Sequence, residues 1–262
     1  MACLFAYASV LGIGCNVRNG QETLLIAGSS TMALYLEPVV QAFATKNPRA
    51  SVVSEAGGAA AGVIALKREA IDVAMVARDL TADEDDDALR DYLVARDGVA
   101  IVVSKASPIA GLTVRQLADV ASGSARSWKE VGGPDAPIAF VDRPKTTHLR
   151  KSFMDIVLGG DEPVHPTKVA ETSEHVLEAL NANALAISFV SFHRATAEMR
   201  AIPINGVEMS RATMLSGRYP LTRSFYLAVY KRPTKVAERF IDLALSKEGQ
   251  KLLVEKGLIG VY

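Results

Sequence analysis

Three stretches of this chain place glycine, hydroxyl or cationic side chains where an apolar run stops and a helical pattern starts. The first is Ala27-Gly28-Ser29-Ser30-Thr31, the second Gly57-Gly58 within Glu55 to Gly62, and the third Asp142 to Arg150, which holds Arg143, Thr146, Thr147 and His148. A helix N-terminus carries free backbone N–H groups and the positive end of the helix dipole, so hydroxyls and guanidinium groups beside it suit phosphate, sulfate or another oxyanion. Arg78, in Ala77-Arg78-Asp79-Leu80, adds a forked donor just after another apolar run. Each stretch also has a purely structural reading. Ser and Thr are common helix caps, and a glycine turn is a common strand-to-helix connection. The glycine turn is not a P-loop, because no Gly-Lys-Ser/Thr follows it.

The elements that must position these residues follow from periodicity. Thr23 to Ala27 reads as a buried strand. Met32, Leu36, Val39, Val40 and Phe43 then fall at helical spacing, and Asn47-Pro48 ends that helix. Ala50 to Ser54 and Ile71 to Val76 are further strands, and Val63 to Lys67 is a helix between them. Thr81 is expected to cap a helix with an acidic first turn, Asp83 to Asp87, running on through Leu89, Tyr92 and Leu93. Beyond it come a strand at Asp97 to Val103 and a helix starting at Leu112 to Leu117. Gly123 to Gly133 is a loop with the only tryptophan, Trp128, and Ile138 to Val141 is a strand. A helix is then faced by Leu149, Phe153, Ile156 and Val157. Ser173 to Leu180 reads as helix, Ala184 to Val190 and Ser224 to Tyr230 as strands, and Val236 to Leu253 as one closing helix.

At 262 residues, 49% hydrophobic and 22% charged, the chain is long enough for one large domain or two modest ones. Its 29 basic and 29 acidic residues cancel, so no global positive field points to nucleic acid. Cys3 and Cys15 are the only cysteines, which excludes a disulfide framework, a cysteine-based zinc site and a cysteine nucleophile from the body of the chain. The four histidines, His148, His165, His175 and His193, are scattered, without metal-ligand spacing or a nucleophile elbow. No cofactor, metal or catalytic residue is expected. Met1 to Cys15 is apolar and too short to span a membrane. It reads as an export signal, with Leu11-Gly12-Ile13-Gly14-Cys15 like a lipoprotein cleavage box whose cysteine would be acylated.

The order of these motifs resembles the phosphate-binding proteins of bacterial phosphate ABC importers, within the class II periplasmic solute-binding fold. The residues carrying it are Ile26 to Thr31, the glycine turn through Gly62, Ile71-Asp72-Val73-Ala74 with Ala77 to Leu80, Asp97 to Ala100, Ala184 to Val190, Ile204-Asn205-Gly206-Val207, Leu215 to Leu221 and Leu245 to Gln250. The resemblance implies two α/β lobes joined by two crossovers, with the ligand in the cleft between them. Lobe one would be residues 22–99 plus 222–262 and lobe two 100–221, preceded by the signal-like segment 1–21, with hinges near Val99 and Leu221.

The same resemblance implies an extracytoplasmic monomer that captures phosphate without catalysis and hands it to a membrane permease. The expected ligand residues are Ser29, Ser30, Thr31, Gly57, Gly58, Arg78, Arg143, Thr146, Thr147 and His148. The chain departs from the family pattern in its hydroxyls. Ala59 and Ala77 stand where the family has Ser, and Thr146-Thr147-His148-Leu149 stands for Gly-Ser-Gly-Thr. A phosphate-selective site also needs an acceptor for the anion's proton, for which Asp79, Asp142 and Glu55 are the candidates. The lost hydroxyls motivate a second reading, a diverged member that binds another oxyanion or senses phosphate. A phosphate-ester hydrolase using the same cleft is a third.

Overall fold

The computed structural model describes residues 22–160 and 165–262; the signal-like segment with Cys15 lies outside them. The chain opens with β1 (Glu22–Gly28), α1 (Ser30–Lys46), β2 (Ala50–Ala56), α2 (Ala59–Lys67) and β3 (Val73–Val76). β1 pairs in parallel with both β2 and β3, as strands separated by crossover helices do. Then follow β4 (Leu89–Val103), α3 (Val114–Ser122), β5 (Ala139–Asp142), α4 (His148–Leu158), β6 (Lys168–Val169), α5 (Ser173–Ala182), β7 (Ala186–Ser191) and β8 (Arg200–Ala201). The chain closes with α6 (Arg211–Leu215), β9 (Thr222–Tyr230), α7 (Lys235–Leu245), α8 (Lys247–Glu255) and β10 (Ile259–Gly260).

The strands run in the order β2-β1-β3-β9-β4-β7-β5-β6, with β8 and β10 also on β4. β4 carries the architecture. From Leu89 to Gly98 it pairs antiparallel with β9, and from Val99 to Val103 it pairs with β7. At the same point the Val99 N–H donates to Leu221 O at 3.0 Å. One apolar core lies between β1, β3, β9 and the helices α1 and α7, with Leu24, Met32, Leu36, Phe43, Phe225 and Phe240 fully buried. A second lies between the far half of β4, β5, β7, α3 and α4. There Phe153 stacks on Phe189 with centroids 4.2 Å apart, and the buried Trp128 donates its indole N–H to Leu185 O. This two-lobed α/β arrangement is the expected fold class. Among the described residues no helix is long and apolar enough to cross a membrane.

Two expected elements are different. The acidic stretch after Thr81 is not the start of a helix; it is a series of turns, and Leu89, Tyr92 and Leu93 belong to β4. The Asp86 carboxylate accepts from the N–H groups of Ala88 and Leu89, and long-range pairing with β9 supplies the hydrogen bonds a local helix would have made. The closing helix is broken at Ser246, whose backbone ends α7 and whose hydroxyl caps α8 by accepting from the Gly249 N–H. The tight turn requires glycine at position 249, since a Cβ there would come 2.0 Å from Leu243 O.

Gly28 explains how the first turn is set. Its φ is +141°, and an added Cβ would lie 2.3 Å from Met75 O. Gly62 in turn lets α2 approach the Gly28 backbone, where a Cβ would meet Gly28 Cα at 2.8 Å. Gly28→Ala is therefore expected to destabilise the protein by about 2–5 kcal/mol in denaturant unfolding, from strain and overpacking together; a loss below 1 kcal/mol would contradict this packing. The acidic turn makes a second expectation. The hydrogen bonds from Arg78 hold the Glu84 carboxyl down at about 2 from an ordinary 4.5. Because the folded value is depressed, the pair stabilises the fold fully above pH 4.5 and loses that contribution as pH falls toward 2. The pair is surface-exposed on the arginine side, so Glu84→Gln should cost about 1 kcal/mol or less at pH 7, with the difference from wild type vanishing toward pH 2 in urea unfolding.

Candidate functional site

The first and third turns meet. Ser30, Thr31 and Leu34 from the start of α1, and Lys145, Thr146, Thr147, His148 and Lys151 from the start of α4, line one cavity of about 270 Å³. Two helix N-termini thus face the same space, and two lysines and a histidine stand around it. Among the described residues nothing accepts from the N–H groups of Ser30, Thr31, His148 or Leu149. These are first-turn groups that no intrahelical carbonyl can satisfy. The positive ends of two dipoles with free donors make the cavity complementary to an anion.

Capping divides the hydroxyls into those that hold the helices and those that face the cavity. Ser29, buried, caps α1 by accepting from the Met32 N–H at 3.3 Å, while its own N–H donates to Met75 O. Thr147 caps α4 by accepting from the Arg150 N–H, and its hydroxyl donates to Pro144 O at 2.9 Å, so its proton is already engaged. Ser30, Thr146 and His148 are exposed toward the cleft.

Arg143 sits beside a second and larger cavity of about 450 Å³, shared with Tyr35, Asp97, Leu149, Glu171, Glu174, Arg194 and Lys256. The residue is only 8% exposed, and Nη2 donates to Glu171 O at 3.2 Å. Nε and Nη1 are buried without a hydrogen-bond partner among the described residues. Burial pulls its pKa down, and Glu174, Glu171 and Asp142 oppose that. Buried donors on a permanent cation that reach no acceptor are suited to an oxyanion entering from the cavity.

The other expected residues are not gathered at either cavity. The N–H groups of Gly57 and Gly58 both donate to Gly28 O at 2.9 Å. Arg78 is forked onto Glu84 at 2.6 and 2.7 Å, and its Nη1 also donates to Asp79 O. Of the expected proton acceptors, Asp142 is buried against Arg150 Nε at 2.8 Å and also accepts from the Arg143 N–H. Asp79 accepts from the Tyr226 hydroxyl, and Glu55 is exposed at the end of β2. Tyr35, Lys145, Lys151, Arg194 and Lys256 were not singled out from sequence. The lysines flank the Thr146-Thr147-His148 run by one and three residues, which is a usable signal; nothing local marks the other three.

A family model for the PBP superfamily domain matches residues 16–248. The phosphate-binding protein PstS of Borreliella burgdorferi is 24% identical over 98% of this chain and 97% of its own length. That of Bacillus subtilis is 28% identical over 91% of this chain and 81% of its own. Among solved structures, an ABC-type phosphate transport receptor from Vibrio cholerae superposes with a TM-score of 0.69 at 30% identity, covering 90% of this chain and 99% of that one. A possible phosphate binding protein from Planctomyces limnophilus matches in fold, with a TM-score of 0.78 at 23% identity over 92% of this chain and 94% of that one. With the parallel βαβ units, the shared strand and the cleft between two lobes already in place, these matches are decisive for ancestry: the chain belongs to the PBP superfamily, in its two-lobed class II form.

Proposed function

We propose that this chain is an extracytoplasmic substrate-binding protein that captures inorganic phosphate and hands it to the permease of an ABC importer. The observation that carries this reading is the pair of helix N-termini, α1 and α4, turned on one cavity with their first N–H groups unpaired among the described residues. Binding and release need no chemistry on the ligand. Residues 22–99 with 222–262 form one lobe and 100–221 the other, and closure at the crossovers near Val99 and Leu221 brings the donors of both onto the anion. Ser30, Thr31, Thr146 and His148 approach it directly, and Ser29 and Thr147 hold the two helix ends in place. Arg143 supplies a buried charge once the lobes close. Acylation at Cys15 would tether the protein to the membrane surface, and the monomer is the working unit.

No carboxylate of the described residues lines the smaller cavity. His148 is the one ring-nitrogen side chain lining it, placed to accept a hydrogen bond from the proton that phosphate retains near neutral pH and sulfate lacks. The same absence favours a second reading, a relative adapted to another oxyanion. Calorimetric titration with phosphate and sulfate separates the two. Phosphate binding is expected, with Ser30→Ala and Arg143→Ala each weakening it by about tenfold or more, the loss of one charge-assisted hydrogen bond. Ligand at 100 times Kd should raise stability by about 2.7 kcal/mol and Tm by roughly 5–10 °C. His148→Ala should reduce the preference for phosphate over sulfate. Equal or tighter binding of sulfate, molybdate or a phosphate ester by the wild type would favour the second reading, and no binding of any of these would end both.

A further inference from the structure

We propose that Asp97, Ser152 and Arg223 are positioning residues that fasten helix α4 to both crossovers, so that the anion-facing end of α4 moves as one with the hinge. Asp97 and Arg223 are paired residues on β4 and β9, one rung before Gly98 and Thr222, where β4 leaves β9 for β7. Arg223 Nη2 donates to Asp97 Oδ2 at 3.0 Å and to Ser152 Oγ at 2.5 Å, and Ser152 Oγ donates to Asp97 Oδ2 at 2.6 Å. Asp97 is 3% exposed and Ser152 fully buried. Arg223 Nη1 reaches Asp155, also on α4, at 3.3 Å, and the guanidinium lies over the Phe225 ring. The triangle therefore joins one residue of each crossover to the helix whose first turn lines the anion cavity.

Two features set this apart from an ordinary buried ion pair. Ser152 is four residues after His148, on the same face of α4, so the helix transmits displacement between the cavity and the triangle as a rigid element. Among the described residues, Arg223 Nε and the neighbouring Thr222 hydroxyl are buried with no hydrogen-bond partner. Unsatisfied buried donors at the second crossover are groups that another setting of the lobes can satisfy, and this gives the hinge discrete positions in place of free bending. Asp97 also lines the larger cavity beside Arg143, placing the triangle against the cleft itself.

The inference rests on the reading of the cleft as an anion site, and the test separates the two. Spin labels at Ala44→Cys on α1 and Glu178→Cys on α5, both exposed, are placed in the 262-residue chain carrying Cys3→Ser and Cys15→Ser, and the inter-label distance is measured by pulsed electron resonance with and without inorganic phosphate. Ser152→Ala should broaden the ligand-free distance distribution and weaken phosphate binding by about 2- to 30-fold. Asp155→Asn, which removes the partly exposed arm and leaves the buried triangle intact, should act in the same direction to a smaller extent, and it carries the test if Ser152→Ala does not fold. Distributions that overlay the parent in the folded variants would overturn the proposal, whatever happens to affinity. A parent that binds no phosphate, with a distribution still broadened by the substitutions, would refute the phosphate reading and leave the hinge assignment standing.

Discussion

Every backbone N–H and C=O in a buried strand must find a partner, and β4 meets that requirement twice in succession. Its first part pairs with β9, with a register shift at Val94 whose carbonyl accepts from Gln250, and its last five residues pair with β7. Because one strand serves both sheets, the two cores are built on a common rail, and the position where it changes partner is the natural place for bending. Gly98 marks that position; a Cβ there would lie 2.7 Å from the Met214 sulfur. The return crossing is held to the same point by the Val99 to Leu221 hydrogen bond. The placement of α1 on one side of the cleft and α4 on the other follows from this arrangement.

The polar groups around the cleft divide according to whether they are already satisfied. Ser29 and Thr147 complete helix ends, Asp142 and Arg150 neutralise each other in the interior, and Gly57 and Gly58 are tied to Gly28. These groups hold the scaffold. Against that background the unsatisfied groups stand out: the first-turn N–H groups of α1 and α4, and the Arg143 guanidinium. All are donors, which suits them to an anion. The balanced charge of the whole chain is compatible with this, because attraction here is local and comes from oriented dipoles and a few cations.

Much of the fold was legible in the sequence. The strand, turn and helix order from Thr23 to Val76 was set by local rules, with Gly28 as the exit and a hydroxyl as the cap. The α4 turn was equally readable, since Arg143 to His148 precede an apolar face at helical spacing. The expected helix after Thr81 failed because its acidic cap signal was genuine chemistry put to a different use. Glu84 serves Arg78 and Asp86 serves a turn, while the apolar residues behind them are claimed by β9 from more than a hundred residues away. The break at Ser246 differs from the expected single helix because the apolar pattern runs through it, while Ser246 caps α8 and Gly249 allows the close approach to Leu243.

The sequence by itself determined where strands give way to capped helix N-termini, because capping, glycine conformation and helix polarity act over a few residues and are written in adjacent side chains. Only the tertiary structure decided which of those turns share a cavity. It brought Ser30 and Thr31 to Thr146, Thr147 and His148, and it turned Arg78 toward Glu84. It also buried Arg143 beside Tyr35 and Lys256, and closed Asp97, Ser152 and Arg223 into one triangle across sequence separations of 55 to 126 residues. Those contacts depend on sheet register and on the position where β4 changes partner, both long-range quantities that no local pattern encodes.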